Sequence, residues 1–265
     1  MSVFIAAADE STDQQQRQKL VYGGFAASLD TWTNHFCPAW DERVLAGPPR
    51  LRALHVSEVR NERWRRKNGL TERDAMSRLD EAARIIRSTG GLVPVTIELP
   101  LAGFQGLAGR RFNAFPERKQ LHRAEFAPDH YCFLGFALFQ LDIIKKLYPE
   151  AQKVDFWVER NAAVTRNLEA FVVRLGPFLS ELGHDELAPL VGEYQQVTKE
   201  RIPAQAADYL CWHKRNRDAG TLDAGGQSRY AAIVRRGRNR PGWHHVIQEK
   251  TLQKLAVAWD RAVGS

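Results

Sequence analysis

The chain has 265 residues, 44% of them hydrophobic and 26% charged. That is the balance of a globular protein with a sizeable core, and it excludes a low-hydrophobicity disordered chain. With 38 basic against 31 acidic residues the net charge is +7, which suits a polyanionic partner without demanding one. Three cysteines, Cys37, Cys132 and Cys211, lie far apart with no C-x-x-C spacing. This argues for free thiols in a reducing compartment and against zinc. No basic segment followed by a cleavable apolar run opens the sequence. The most apolar run, residues 131–144, carries Gln140 and Asp142 and falls short of the roughly 20 residues that a membrane span needs. The expectation is a soluble cytoplasmic protein.

Residues 2–12 read S-V-F-I-A-A-A-D-E-S-T, an apolar run ending in two adjacent carboxylates. Its length and β-branched Val3 and Ile5 favour a buried strand, though three alanines leave a helix open. Residues 19–28 give a second strand, with Gly23-Gly24 marking a bulge or a close backbone approach, and a hairpin with the first. A helix is expected over residues 32–45, ended before Gly47-Pro48-Pro49, and a short strand over residues 51–56. The basic run R-N-E-R-W-R-R-K at 60–67 precedes a helix capped by Thr71, whose apolar residues Ala75, Met76, Leu79, Ala82, Ala83 and Ile86 recur at helical spacing. Gly90-Gly91 should end that helix. Residues 92–99 form a strand whose Pro94 suggests a sheet edge.

Residues 100–127 have little periodicity and hold Gly103, Gly106, Gly109 and several basic residues; a long loop or insertion is expected. Residues 128–147 are apolar nearly all round, the mark of a buried helix lying on a sheet. A strand at 153–159 follows, with Val154, Phe156 and Val158 on one face. An amphipathic helix at 164–175 is broken by Gly176-Pro177, and residues 184–199 are ambiguous, with room for a short strand at their end. Residues 202–214 start a helix with Pro203 in its first turn, and Asp208 sits among Ala204, Ala206, Ala207 and Cys211. Small residues around a carboxylate let a helix press close to a sheet. Ala224–Gln227 reads as a flexible loop, His244-His245 as solvent-exposed, and residues 247–263 as a last amphipathic helix. Alternating strands and helices suggest an α/β fold with a mixed sheet.

Asp9, Glu10, Glu58, Glu159 and Asp208 each end a strand or sit on a helix in apolar surroundings. Carboxylates brought together repel and desolvate one another unless a cation neutralises them. Hard cations such as Mg²⁺ or Mn²⁺ take such oxygen ligands, and a pair of them can clamp the attacking and leaving oxygens of a phosphodiester. The plainer reading is unrelated acids at solvated strand ends, since turns favour Asp and Ser. His55 is either a hydrogen-bonded histidine or a group that orients a ligand or shuttles a proton.

Four stretches, D-E-S-T after the first strand, L-H-V-S-E at 54–58, V-D-F-W-V-E-R-N at 154–161 and I-P-A-Q-A-A-D-Y-L at 202–210, together resemble the bacterial family called domain of unknown function 3800. The resemblance covers roughly residues 1–215 and implies a ribonuclease H-like fold. Asp9 and Glu10 match the opening acids, His55 and Glu58 the second element, and Asp208, with Gln205 beside it, the closing acid. Thr12 stands where glycine is usual, and Glu159 where Asp is more frequent. Asp155 lies on the same strand face but about 13 Å back along the strand.

The basic segments, represented by Arg63, Arg65, Arg66, Lys67, Arg110, Arg111, Arg235 and Arg236, are either a solvated face or phosphate contacts, with Trp64 or Trp243 able to stack on bases. The expectation is an α/β ribonuclease H-like mixed sheet flanked by helices over residues 1–215, with a helical, basic C-terminal extension at 216–265 packed on it. The function expected is a divalent-metal-dependent phosphodiesterase acting on nucleic acid, with Mg²⁺ or Mn²⁺ as cofactor. The alternative is a non-catalytic module binding nucleic acid or a protein partner, for instance in phage defence or a mobile element.

Overall fold

The computed structural model describes residues 2–12, 18–104, 111–113, 123–125, 127–160, 168–236, 240–241 and 243–264. Strands β1 (Ser2–Thr12) and β2 (Lys19–Ser28) form the expected antiparallel hairpin. Its register runs unbroken from Phe4 opposite Ser28 to Thr12 opposite Leu20, so Gly23 and Gly24 make no bulge. They permit close approach instead: a Cβ at Gly24 would stand 1.8 Å from the Ala7 carbonyl oxygen, and one at Gly23 2.6 Å from that of Val95. Helix α1 (Cys37–Trp40) is continued at both ends by π-wound turns, Thr31–Phe36 and Asp41–Leu45. Trp32, Phe36 and Trp40 are fully buried along it, their rings packed in series.

Residues 51–55 are not the strand their pattern suggests. They run irregularly into two short helices, α2 (Val56–Arg60) and α3 (Glu62–Lys67). Leu51 and Leu54 bury their side chains, but the Leu54 N–H donates to the Gln205 Oε1 at 2.9 Å rather than to a neighbouring strand. In α4 (Glu72–Ser88) the Thr71 hydroxyl accepts from the Asp74 N–H at 3.1 Å, as the cap signal implies. Arg78, buried in α4, donates to the carbonyls of Val44, Gly47 and Pro49, pinning the strap that leads to His55.

β3 (Val93–Pro100) pairs with β2 and is followed by α5 (Leu101–Phe104). Within 105–126 the ribbon strands β4 (Arg111–Asn113) and β5 (Arg123–Glu125) pair with each other. Helix α6 (Pro128–Leu147) has the all-round burial its composition requires. Phe133, Leu134, Phe136 and Leu141 are fully buried on it, each contributing about 1.5–3 kcal/mol of apolar transfer. β6 (Ala151–Glu159) follows, burying Val154, Phe156 and Val158.

The expected break at Gly176-Pro177 falls earlier. The chain turns at Arg174 between α7 (Leu168–Val173) and α8 (Leu175–Glu181), so Pro177 sits inside the first turn of α8, where its missing N–H costs no hydrogen bond. The ambiguous stretch resolves into a 3₁₀ turn, Asp185–Leu190, and strand β7 (Val191–Val197). Helix α9 (Ile202–Asp218) runs one turn beyond its expected end, so a boundary at 215/216 falls within a helix. Ala224–Gln227 is the start of α10 (Ala224–Val234) rather than a loop, because Asp223 Oδ1 accepts the Gly226 N–H at 2.6 Å and caps it. The short pair β8 (Arg235–Arg236) and β9 (Arg240–Pro241) leads to β10 (Trp243–Val246), and α11 (Glu249–Gly264) closes the chain.

The main sheet is mixed, in the order β10-β3-β2-β1-β6-β7. β2 runs antiparallel to β1 and β3, while β6 is parallel to β1, β7 to β6 and β10 to β3. Pro94 is therefore not on an edge strand. It lies just outside the β10 ladder, which begins at Val95 opposite Trp243, so its missing N–H is not needed. One core lies between the sheet and α6, α8 and α11; the other lies between the opposite face and α1, α4, α9 and α10. The C-terminal segment thus contributes a strand to the sheet and a helix to the first core, where Trp259 stacks on Phe171. Among the described residues no helix is long and apolar enough to cross a membrane.

Candidate carboxylate site

After β3 the chain crosses by way of α6 to the far side of β1 before forming β6. Strand order reverses there, and the crevice beyond the carboxyl ends of such strands is where open α/β sheets place ligands. β1 and β6 both end in acids at that edge. Ala8 is level with Val158, so Asp9 and Glu159 are the next residues of neighbouring parallel strands. Strand alternation sends Asp9 to the side of Ile5, toward the α9 core, and Glu10 to the side of Ala8, toward the α6 core. Glu10 accordingly pairs opposite Tyr22, a member of the α6-side core.

Helix α9 delivers Asp208 onto the Asp9 side. Ala204, Ala206, Ala207 and Cys211 are fully buried around it, which is the close helix–sheet contact the small residues predict. The Cys211 thiol lies 3.3 Å from the Asp9 carbonyl oxygen. Asp208 Oδ2 accepts the Val56 N–H at 3.0 Å, and Oδ1 is 3.4 Å from His55 Nε2. His55 Nδ1 is engaged by the Ser57 hydroxyl at 2.8 Å. With Ser57 donating there, the ring proton belongs on Nε2, facing Asp208. Gln205, one turn before Asp208, fixes this strap: its Oε1 accepts from Trp40 Nε1 and from the Leu54 N–H, both at 2.9 Å. All three cysteines are free, Cys132 and Cys211 buried and Cys37 partly so.

The electrostatics record the convergence. Burial pushes the Asp9 carboxyl well above its usual range, and the charges of Glu10, Asp208 and Glu159 push it further. Burial, then Asp208, lifts Glu159 to about 7, with His55 and Lys199 opposing. Burial also raises Asp208, while His55, the Val56 N–H and Arg215 pull it back. Three chain segments distant in sequence thus place three carboxylates within one another's fields, in surroundings that penalise charge.

Glu58 lies at the margin. It adds negative field at Asp208 but pairs with Lys199, whose Nζ is 2.9 Å from its Oε1. Asp155 is elsewhere, accepting the Glu193 N–H at 2.7 Å, so Glu159 is the β6 acid of the site. Of the basic residues, Arg63, Arg66 and Lys67 are exposed. Arg65 is not part of that face: it is buried, with its guanidinium donating to the carbonyls of Val59 and Arg60. Arg110 lies outside the described residues, and Arg111, Arg235 and Arg236 are described in backbone alone.

Two further charged residues, Lys199 beside Glu58 and Asp129 on the α6 side of the sheet, escape a sequence reading. Lys199 follows β7 with no motif around it. Asp129 opens α6 and is buried, and burial lifts its carboxyl to about 7, with Glu10 adding to the rise. The only signal for it is an acid at the head of a helix that is apolar nearly all round.

The donor set, carboxylate oxygens from Asp9, Glu159 and Asp208, is that of a hard divalent cation. The Glu159 Oε2 is buried without a hydrogen-bond partner among the described residues, which fits an oxygen available to an ion. Among the described residues no three His, Cys, Asp or Glu side chains are closed to metal-ligand spacing. Comparison with protein-family models, curated proteins and solved structures finds no match to this chain.

Proposed function

We propose that the chain is a divalent-metal-dependent phosphodiesterase acting on nucleic acid, on a ribonuclease H-like scaffold. The observation that carries this is the meeting of Asp9, Glu159 and Asp208 at the sheet's switch point. Perturbed carboxylates gathered in a crevice are the arrangement that functional sites use and that stability alone disfavours. The mixed sheet flanked by helices supports the scaffold assignment, and the resemblance to domain of unknown function 3800 runs through the same acids.

Asp9, Glu159 and Asp208 would hold Mg²⁺ or Mn²⁺, with Glu10 and Glu58 at its border. A bound ion supplies Lewis acidity and a more acidic water. His55 orients Asp208 through its Nε2 side, in the manner of groups that fix a ligand carboxylate from behind. The net charge of +7 and the exposed Arg63, Arg66 and Lys67 favour a polyanionic substrate.

The ion pair of Glu58 with Lys199 and the contact of Asp208 with His55 support a second reading, a metal-free module that binds nucleic acid or a protein. One assay separates the two. Labelled single- and double-stranded DNA and RNA are incubated with the protein in Mg²⁺, Mn²⁺ or EDTA, alongside Asp208→Asn. The enzyme reading expects divalent-dependent cleavage, lost in EDTA and in the variant while binding persists. Salt-sensitive binding in EDTA with no cleavage under any ion would replace it with the binding module.

A further inference from the structure

A short turn joins α9 to α10 and leaves a pocket between them. Gly220 ends α9 with φ 68°, a left-handed conformation that glycine adopts freely, and the Thr221 N–H returns to the Asn216 carbonyl at 2.9 Å. A Cβ added at Gly220 would meet nothing within 4 Å, so the turn fills none of the space beside it. The pocket there measures about 380 Å³, and Arg217, Leu222, Gln227, Tyr230, Ala231 and Val234 complete its lining. That volume falls in the range of small-molecule sites, about 300–1,000 Å³.

Most of the lining is apolar. Leu222 and Tyr230 are buried, and Ala231 and Val234 are partly so. Gln227 is held by its Nε2, which donates to the Leu222 carbonyl at 3.3 Å. Arg217 alone among the lining residues is charged. Its guanidinium lies over the Tyr230 ring, 4.9 Å from the centroid. Stacking of this kind fixes the guanidinium plane and leaves its N–H edge able to donate. The acids close in sequence are engaged elsewhere: Asp218 with Lys19 and Lys214, Asp223 with Arg60. Among the described residues no carboxylate pairs with Arg217.

We propose that this pocket binds a small carboxylate with an apolar or aromatic body, the carboxylate paired with Arg217 and the body laid against Leu222, Tyr230 and Val234. One guanidinium fork matches the two oxygens and single charge of a carboxylate. A phosphate dianion calls for a second cation, and no other lining residue carries charge. Arg217 stands about two and a half turns beyond Asp208 on α9, so the two side chains leave opposite faces of the helix. The pocket is therefore separate from the Asp9–Glu159–Asp208 crevice and does not depend on the phosphodiesterase reading.

The test is a chemical-shift titration of the ¹⁵N-labelled full chain. The probes are benzoate and indole-3-acetate, with benzamide and indole-3-acetamide as their uncharged counterparts and phenyl phosphate as the phosphate arm. Wild type is compared with Arg217→Gln, which removes the charge from an exposed side chain, and with Ala231→Leu, which fills the pocket; circular dichroism confirms the fold of both. The expected result is saturable shifts at the Gly220, Leu222 and Tyr230 amides with at least one carboxylate. That affinity should fall about tenfold in Arg217→Gln and for the matching amide, and binding should be lost in Ala231→Leu. No saturable shift with either carboxylate, or an affinity that either variant leaves unchanged, would overturn the site. Phenyl phosphate binding more tightly than both carboxylates would overturn the ligand class.

Discussion

Replacing Glu159 by Gln should stabilise the protein in the absence of metal. The folded-state carboxyl titrates near 7 rather than 4.5, because of burial and then the Asp208 charge. Between those pH values the folded chain retains a proton that the unfolded chain releases. Stability therefore falls as pH rises through that window, and the whole penalty is present above about pH 7. A rise from 4.5 to about 7 corresponds to about 3 kcal/mol, at about 1.4 kcal/mol per pH unit. Glu159 is partly exposed, and solvent screening reduces this to about 1–2 kcal/mol. Glutamine keeps the shape, and among the described residues the Glu159 Oε2 has no hydrogen bond to lose. Thermal melts in EDTA at pH 8 should place Glu159→Gln about 2–6 °C above wild type, with the difference vanishing at pH 4. A variant no more stable than wild type at pH 8, or a difference independent of pH, would refute the claim that these acids repel one another.

Gln205→Leu removes the acceptor for two buried donors, Trp40 Nε1 and the Leu54 N–H. Urea denaturation should show a loss of about 2–5 kcal/mol. His213 is fully buried, with its Nδ1 bonded to the Tyr209 carbonyl at 2.8 Å, and burial, reinforced by Arg229 and Arg60, holds its ring at about 4. The unfolded ring takes up a proton below 6.5 while the folded ring does not until about 4, so unfolding free energy should drop by about 3 kcal/mol as pH falls across that range. His213→Gln should flatten this acid limb in pH-dependent denaturation. Replacing Arg63, Arg66 and Lys67 with Ala should weaken single-stranded nucleic-acid binding and reduce the salt slope of log K by about 2; an unchanged slope would place the polyanion on another face.

Much of the fold is legible because it is written locally. The alternating burial of β6, the apolar run of α6 and the Thr71 cap each need only their own neighbours. Asp9, Glu159 and Asp208 are legible for a related reason: each interrupts or ends an apolar element, where a lone acid is conspicuous. What local pattern misreads is backbone satisfied from a distance. The apolar residues Leu51, Leu54 and Val56 look like a strand, yet their segment is held by the side chains of Gln205 and Asp208. Arg65 belongs to a basic run by composition but is turned inward, donating to the carbonyls of Val59 and Arg60. Asp129 and Lys199 reach the acids only through the crossover from β3 to β6 and the turn after β7, which no window of sequence contains.

The proposed function requires Asp9, Glu159 and Asp208 to share a cation. Anomalous diffraction from crystals soaked in Mn²⁺ tests it most directly. A manganese peak is expected beyond the ends of β1 and β6, about 2.1 Å from carboxylate oxygens of at least two of the three, and absent in Asp208→Asn. A crevice without a peak at saturating Mn²⁺, with the three acids still apart, would contradict it.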